Sequence, residues 1–74
     1  MGTLTDTEDV RLEDCTACDA PGALVELWIY DAPDDSYEGV AECGHCKRLG
    51  PRVFRKTVAS ARVAAAEAWN GINS

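Results

Sequence analysis

Four cysteines in two Cys-x-x-Cys pairs carry the chemistry this chain can do: Cys15-Thr16-Ala17-Cys18 and Cys43-Gly44-His45-Cys46, with 24 residues between the pairs. Zinc takes four ligands in a tetrahedron. A Cys-x-x-Cys turn presents two sulfurs on one side while its backbone N–H groups point back at them, so two such turns complete one site. The interval is a little longer than the ~15–20 residues of the common pattern, and a two-stranded hairpin, whose ends return to one place, fills it. The reading is one structural zinc ion (Zn2+) held by Cys15, Cys18, Cys43 and Cys46. Four thiolates leave no open coordination position, so activation of water at the metal is not expected. Structural zinc contributes an apparent ~10–16 kcal/mol in small domains, enough to make folding conditional on metal.

Other chemistries fit less well. Iron is the alternative metal, because rubredoxins hold it with two similar pairs, but the chain lacks their Cys-x-x-Cys-Gly turns and their dense aromatic core. Cys43-Gly44-His45-Cys46-Lys47 reproduces the redox motif of protein disulfide isomerases. In a thioredoxin fold the first cysteine of that motif caps a long helix, which lowers its pKa; Gly50-Pro51 forbids such a helix here, and the other cysteine pair would have no role. His45, the one histidine, is read as a turn residue beside four thiolates, with Lys47 and Arg48 offsetting the negative charge of the centre. Asp34 and Asp35 read as turn residues. There is no convincing nucleophile–base pair and no glycine-rich phosphate loop, so an enzyme is not expected.

The elements that position the cysteines must come from a short chain. Seventy-four residues bury too little apolar surface to offset the entropy of ordering the backbone, so a staple is needed. Met1 to Val10 is polar and acidic with no apolar core, and Ala23 to Tyr30 is short and interrupted by Glu26, so neither a signal peptide nor a membrane span is expected. A cytoplasmic setting follows as an expectation, and there thiols stay reduced, which favours metal thiolate over disulfide.

Residues 1–13 are acidic and poor in large apolar side chains, and read as a disordered arm ahead of a zinc-ribbon domain over 14–74. Ala23 to Tyr30 is β-branched and aromatic, follows Pro21-Gly22, and predicts a strand with Val25, Leu27 and Ile29 on a clean apolar face. Asp31 to Ser36 predicts the hairpin loop, Tyr37 to Glu42 the returning strand, and Arg52 to Lys56 a short third strand. The alanine-rich run from Val58 or Ser60 to Asn70 predicts a helix capped by Thr57 or Ser60. Val58, Ala61, Ala65, Ala68 or Trp69, and Ile72 would face the sheet, with Gly71 left-handed as the stop and Ile72 folded back. The expected fold is a small α+β zinc ribbon: a three-stranded antiparallel sheet, two Cys-x-x-Cys knuckles and a C-terminal α-helix.

Charge is polarised along the chain. The formal net charge is −6; twelve of thirteen acids lie between Asp6 and Glu42, and six of seven basic residues (Lys47, Arg48, Arg52, Arg55, Lys56 and Arg62) follow the second cysteine pair. The acidic balance argues against general nucleic-acid binding. The plain reading is that these are solvated faces that partly compensate one another.

The order of parts, with two Cys-x-x-Cys pairs around a hairpin, a Gly-Pro-containing strand and a terminal helix ending Ala65-Ala66-Glu67-Ala68-Trp69-Asn70, resembles the restriction-alleviation (Lar) family of phage and prophage zinc ribbons. The likeness covers residues 13 to 72. It departs in the turns: that family usually has proline after the first cysteine and glycine after the second, where this chain has Thr16, Asp19 and Lys47. The resemblance implies the zinc ligands Cys15, Cys18, Cys43 and Cys46, a structural role for Trp69 and Asn70, and a part in protecting invading DNA from host restriction. The expected function is a non-catalytic accessory protein that binds a host protein, such as a restriction or other defence enzyme. The alternative is a ribbon that binds nucleic acid or transcription machinery through the basic segment 47–62, and behind both stands a thiol oxidoreductase. The sequence leaves the oligomeric state open.

Overall fold

The structure is a computed structural model and describes residues 11–73. Three strands and one long helix follow a single 3-10 turn: β1 (Val25–Ala32), β2 (Ser36–Cys43), β3 (Val53–Arg55) and α1 (Val58–Ile72). The sheet is antiparallel in the order β1-β2-β3, and the β1–β2 register runs from Val25↔Cys43 to Ala32↔Ser36. This is the small α+β zinc-ribbon architecture with two cysteine knuckles and a C-terminal helix.

The hairpin is longer than the sequence predicts. Asp31 and Ala32 pair with Tyr37 and Ser36, so the connection shrinks to residues 33–35. Asp34 and Asp35 both take positive φ, 67° and 56°. Two consecutive left-handed residues match the right-handed twist of the flanking strands, and aspartate tolerates that conformation better than most side chains. At the other end β1 begins at Val25, two residues later than expected. Gly22–Leu24 form the 3-10 turn, held by Gly22 N–H donating to Asp14 Oδ1 at 2.8 Å and Gly44 N–H donating to the Leu24 carbonyl at 2.9 Å. β3 is trimmed of Arg52 and Lys56 to three residues, paired Gly39↔Val53, Glu38↔Phe54 and Tyr37↔Arg55.

Val25 is buried and Leu27 and Ile29 half-buried, whereas Glu26, Trp28 and Tyr30 are exposed, as the alternation predicts. α1 packs on the apolar face. Thr57 caps its start by accepting from Ser60 N–H at 3.1 Å. The buried helix residues are Ala61, Ala64, Ala65, Ala66 and Trp69. The expected contact face is corrected at both ends: Val58 and Ile72 are exposed. The helix lies close over Gly39, where a Cβ would be 2.7 Å from the Ala61 carbonyl oxygen and 3.3 Å from the Ala65 Cβ. Small residues are what that spacing admits. Gly39→Ala is therefore expected to push the helix off the sheet and cost about 1–3 kcal/mol in a thermal or urea melt. An unmoved midpoint would mean the two elements do not touch there.

The helix stop is also corrected. Gly71 is not left-handed; the helix runs through it to Ile72, and no described glycine has positive φ. Asn73 does the capping instead. Its N–H bonds the Asn70 carbonyl at 3.2 Å and its side-chain amide donates to the Trp69 carbonyl at 2.8 Å, satisfying carbonyls that a helix end otherwise leaves without partners.

The acidic arm expected over residues 1–13 falls mostly outside the described residues. Its last three are strapped to the helix: Asn70 donates to the Arg11 carbonyl at 2.7 Å and accepts from Glu13 N–H at 2.8 Å, and the Trp69 indole donates to the Glu13 carbonyl at 2.9 Å. Among the described residues no helix is long and apolar enough to cross a membrane.

Candidate metal centre

The two knuckles are built alike. In the first, Cys15 N–H donates to the Ala20 carbonyl at 2.9 Å and Asp19 N–H to the Cys15 carbonyl at 2.7 Å; in the second, Cys43 N–H donates to the Arg48 carbonyl and Lys47 N–H to the Cys43 carbonyl, both at 2.9 Å. Each closes by turning the residue after its second cysteine left-handed, Asp19 at φ 62° and Lys47 at φ 69°. These are the positions where the sequence has no glycine, and the backbone adopts the conformation regardless. Left-handed geometry costs an ordinary side chain roughly 1–2 kcal/mol, and aspartate less. Lys47→Gly, after the extra backbone entropy of glycine is subtracted, is expected to raise stability by about 0.5–1 kcal/mol. A denaturation midpoint that falls would show that the lysine side chain contributes more than its backbone strain costs.

The hairpin brings the knuckles together at the base of β1 and β2. All four Sγ atoms lie within 4.8 Å of one another. Cys15 and Cys46, and likewise Cys18 and Cys43, approach to 3.7 Å. Those contacts cross between knuckles, so each pair supplies corners to a shared polyhedron. A tetrahedron of ~2.3 Å metal–sulfur bonds has edges of about 3.8 Å, and the two 3.7 Å separations match such an edge. They are far too long for disulfides, and all four cysteines are free thiols. The four residues can hold one metal ion, and four thiolates satisfy a closed, tetrahedral coordination shell.

The protein's own dipoles prepare the site for thiolates. The N–H groups of His45 and Cys46 both point at Cys43 Sγ, at 3.4 Å each. The Cys46 N–H, aided by that of His45 and opposed by burial, draws the Cys43 thiol down to about 6. At Cys15 burial pulls upward, but the N–H groups of Cys18 and Ala17 outweigh it and the net shift is downward. Burial, together with the neighbouring sulfurs, pushes Cys18 up to about 12. Four thiols crowded together cannot all ionise without a cation, and a divalent ion supplies the missing charge.

The centre and the hydrophobic core are continuous. Cys15 and Cys43 are fully buried in a cluster with Ala20, Val25, Ala41 and Trp69, flanked by Leu12, Cys18 and Leu27. Cys46 is exposed, so one edge of the centre meets solvent. His45 is exposed and contributes only its backbone N–H.

Sequence reading missed the polar bracket behind the knuckles. Buried Asn73 accepts through Oδ1 from the N–H and hydroxyl of Thr16, both at 3.0 Å, and from the Arg48 guanidinium at 3.1 Å. Arg48 also donates to Thr16 Oγ1 at 3.1 Å. One residue at the helix end thereby joins a residue of the first knuckle to one just past the second. Arg48, two residues past Cys46, is built into this bracket: its hydrogen bonds go to Thr16 and Asn73. No pattern announces an asparagine in this role, because its partners are 57 and 25 residues away in sequence.

Fold and site together define the class: a zinc-ribbon domain with a four-cysteine metal centre. No family model, no curated protein and no solved structure matches this chain.

Proposed function

We propose that the centre holds one structural zinc ion and that the protein is a non-catalytic accessory factor that binds a host protein, such as a restriction or other anti-phage defence enzyme. The observation that carries the non-catalytic half is the closed set of four sulfurs, which leaves the metal nothing to do but hold the fold. Zinc is favoured over iron because the coordination needs no redox change and a ribbon this small needs a staple. The choice of a defence enzyme rests on the resemblance to the restriction-alleviation family. In that likeness the distinctive Trp-Asn pair has a physical role, since Trp69 and Asn70 strap residues 11–13 against the helix.

Two cations of the basic segment are already engaged, which favours a protein partner over nucleic acid. Arg48 is committed to Thr16 and Asn73, and Arg52 pairs with Glu38 at 3.2 Å. Lys56 and Arg55 donate to the Asp34 and Phe54 carbonyls, which orients them without compensating their charge. Phosphate binding needs clustered, unengaged cations. The test is a pull-down from bacterial lysate with the purified, metal-loaded protein. Retention of a restriction or defence enzyme through a nuclease treatment supports the reading. Retention only of nucleic acid or polymerase, lost in high salt, contradicts it.

A further inference from the structure

The helix covers one face of the sheet and the other stays open. On the open face Trp28, Tyr30 and Phe54 are 42%, 51% and 53% exposed, three of the five aromatic residues in the chain. Register places them together: Trp28 lies opposite Val40, while Tyr30 and Phe54 flank Glu38 from the two neighbouring strands. Between Trp28, Tyr30, Val40 and Leu49, with Glu42 and the Arg52–Glu38 ion pair in its wall, runs a shallow cleft of about 330 Å³, at the small end of ligand-binding volumes and suited to an extended side chain. Contiguous accessible aromatic surface of this kind marks an interaction site more often than a plain solvated face.

Charge on the same face says what would fit. Glu26 and Glu42 are direct cross-strand partners, an arrangement that repels. Among the described residues the one ion pair is Arg52 with Glu38, so neither Glu26 nor Glu42 has a cationic partner there. Glu42 instead accepts from the Trp28 indole N–H at 3.0 Å, which fixes the ring against that carboxylate. A cation placed there would relieve the repulsion beside an exposed indole, whose free face is the best cation–π acceptor for a second cation of the same segment.

We propose that the open face of the sheet docks an arginine- or lysine-bearing segment of a partner protein, with the cation between Glu26 and Glu42 and its aliphatic stem along Trp28, Tyr30 and Val40. The identity of that segment as part of a host protein rests on the function proposed above; the chemistry of the face does not. Nucleic acid is disfavoured because its phosphates would meet the unpaired carboxylates of Glu26 and Glu42. A second copy meeting this face across a two-fold would bring both Glu26–Glu42 pairs into one interface.

The test is an NMR titration of the isotope-labelled, metal-loaded protein with a capped hexa-arginine peptide, run in parallel on three variants. The largest shifts are expected at Glu26, Glu42 and the Trp28 indole. Glu26→Gln with Glu42→Gln, which keeps shape and removes charge, should weaken binding about tenfold. Trp28→Leu, which keeps the apolar contact and removes the indole, should weaken it severalfold. Asp34→Asn with Asp35→Asn, which removes as much charge from the hairpin turn, should leave it unchanged. Equal losses in the hairpin and sheet variants, or none in Trp28→Leu, would reduce the binding to general attraction by an acidic protein and overturn the proposal. Competition by single-stranded oligothymidine for the same resonances would overturn it too. The titration judges the surface and the lysate experiment judges the host partner, so failure of one is distinguishable from failure of the other.

Discussion

Cys43→Ser is expected to unfold the domain. Cys43 sits at three junctions at once: it ends β2 opposite Val25, belongs to the buried core cluster, and its sulfur receives the N–H groups of His45 and Cys46. Serine offers a harder, shorter ligand that remains protonated at neutral pH, so the metal loses a corner of its shell. An ion that contributes an apparent ~10–16 kcal/mol is comparable with or larger than the ~5–15 kcal/mol by which whole domains are stable. The expected result is loss of the far-ultraviolet circular dichroism of the sheet and helix, not a shifted melt. A spectrum unchanged by the substitution would mean that packing holds the ribbon without its fourth sulfur.

Trp69→Ala comes next in size, at about 3–5 kcal/mol for a fully buried large aromatic. Trp69 is the largest side chain with no exposure, and it shares one cluster with Cys15 and Cys43. Its ring lies against Gly50, where a Cβ would come within 3.3 Å of Cε3. Its N–H meets the Glu13 carbonyl just before the first knuckle. Truncation therefore opens a cavity beside the metal centre and leaves that carbonyl without its donor. The urea midpoint should fall accordingly, and chelator should strip the metal faster. Trp69→Phe, which keeps most of the volume but not the N–H, should lose a smaller part. A midpoint unmoved by Trp69→Ala would mean that the helix does not dock as described.

Much of this was legible in the chain. Two cysteine pairs with hairpin-length separation imply a shared centre, because only a returning chain brings them together. The alternation Val25, Leu27, Ile29 marks the face that the helix covers. Alanine-rich sequence after Thr57 marks the helix, and Thr57 caps it. What was not legible depends on partners far apart in sequence. Asn73, not Gly71, ends the helix, because its amide can reach the Trp69 carbonyl while its oxygen serves Thr16 and Arg48. The left-handed turns at Asp19 and Lys47 were hidden because glycine, the usual signal, is absent there. Residues 11–13 read as part of an acidic arm, since nothing local shows that Trp69 and Asn70 will grip their backbone. Val58 and Ile72 have the helical spacing of core residues but lie at the two ends of the helix, outside its buried stretch from Ala61 to Trp69.

The measurement that tests the account most directly is elemental mass spectrometry on protein purified without added metal, with thiol titration on the same sample. The account predicts one zinc per chain, no stoichiometric iron, and four thiols that become reactive only when the metal is removed. Protein that is folded and free of metal, with a Cys43–Cys46 disulfide in place of two thiols, would contradict it and return the Cys-Gly-His-Cys turn to redox chemistry.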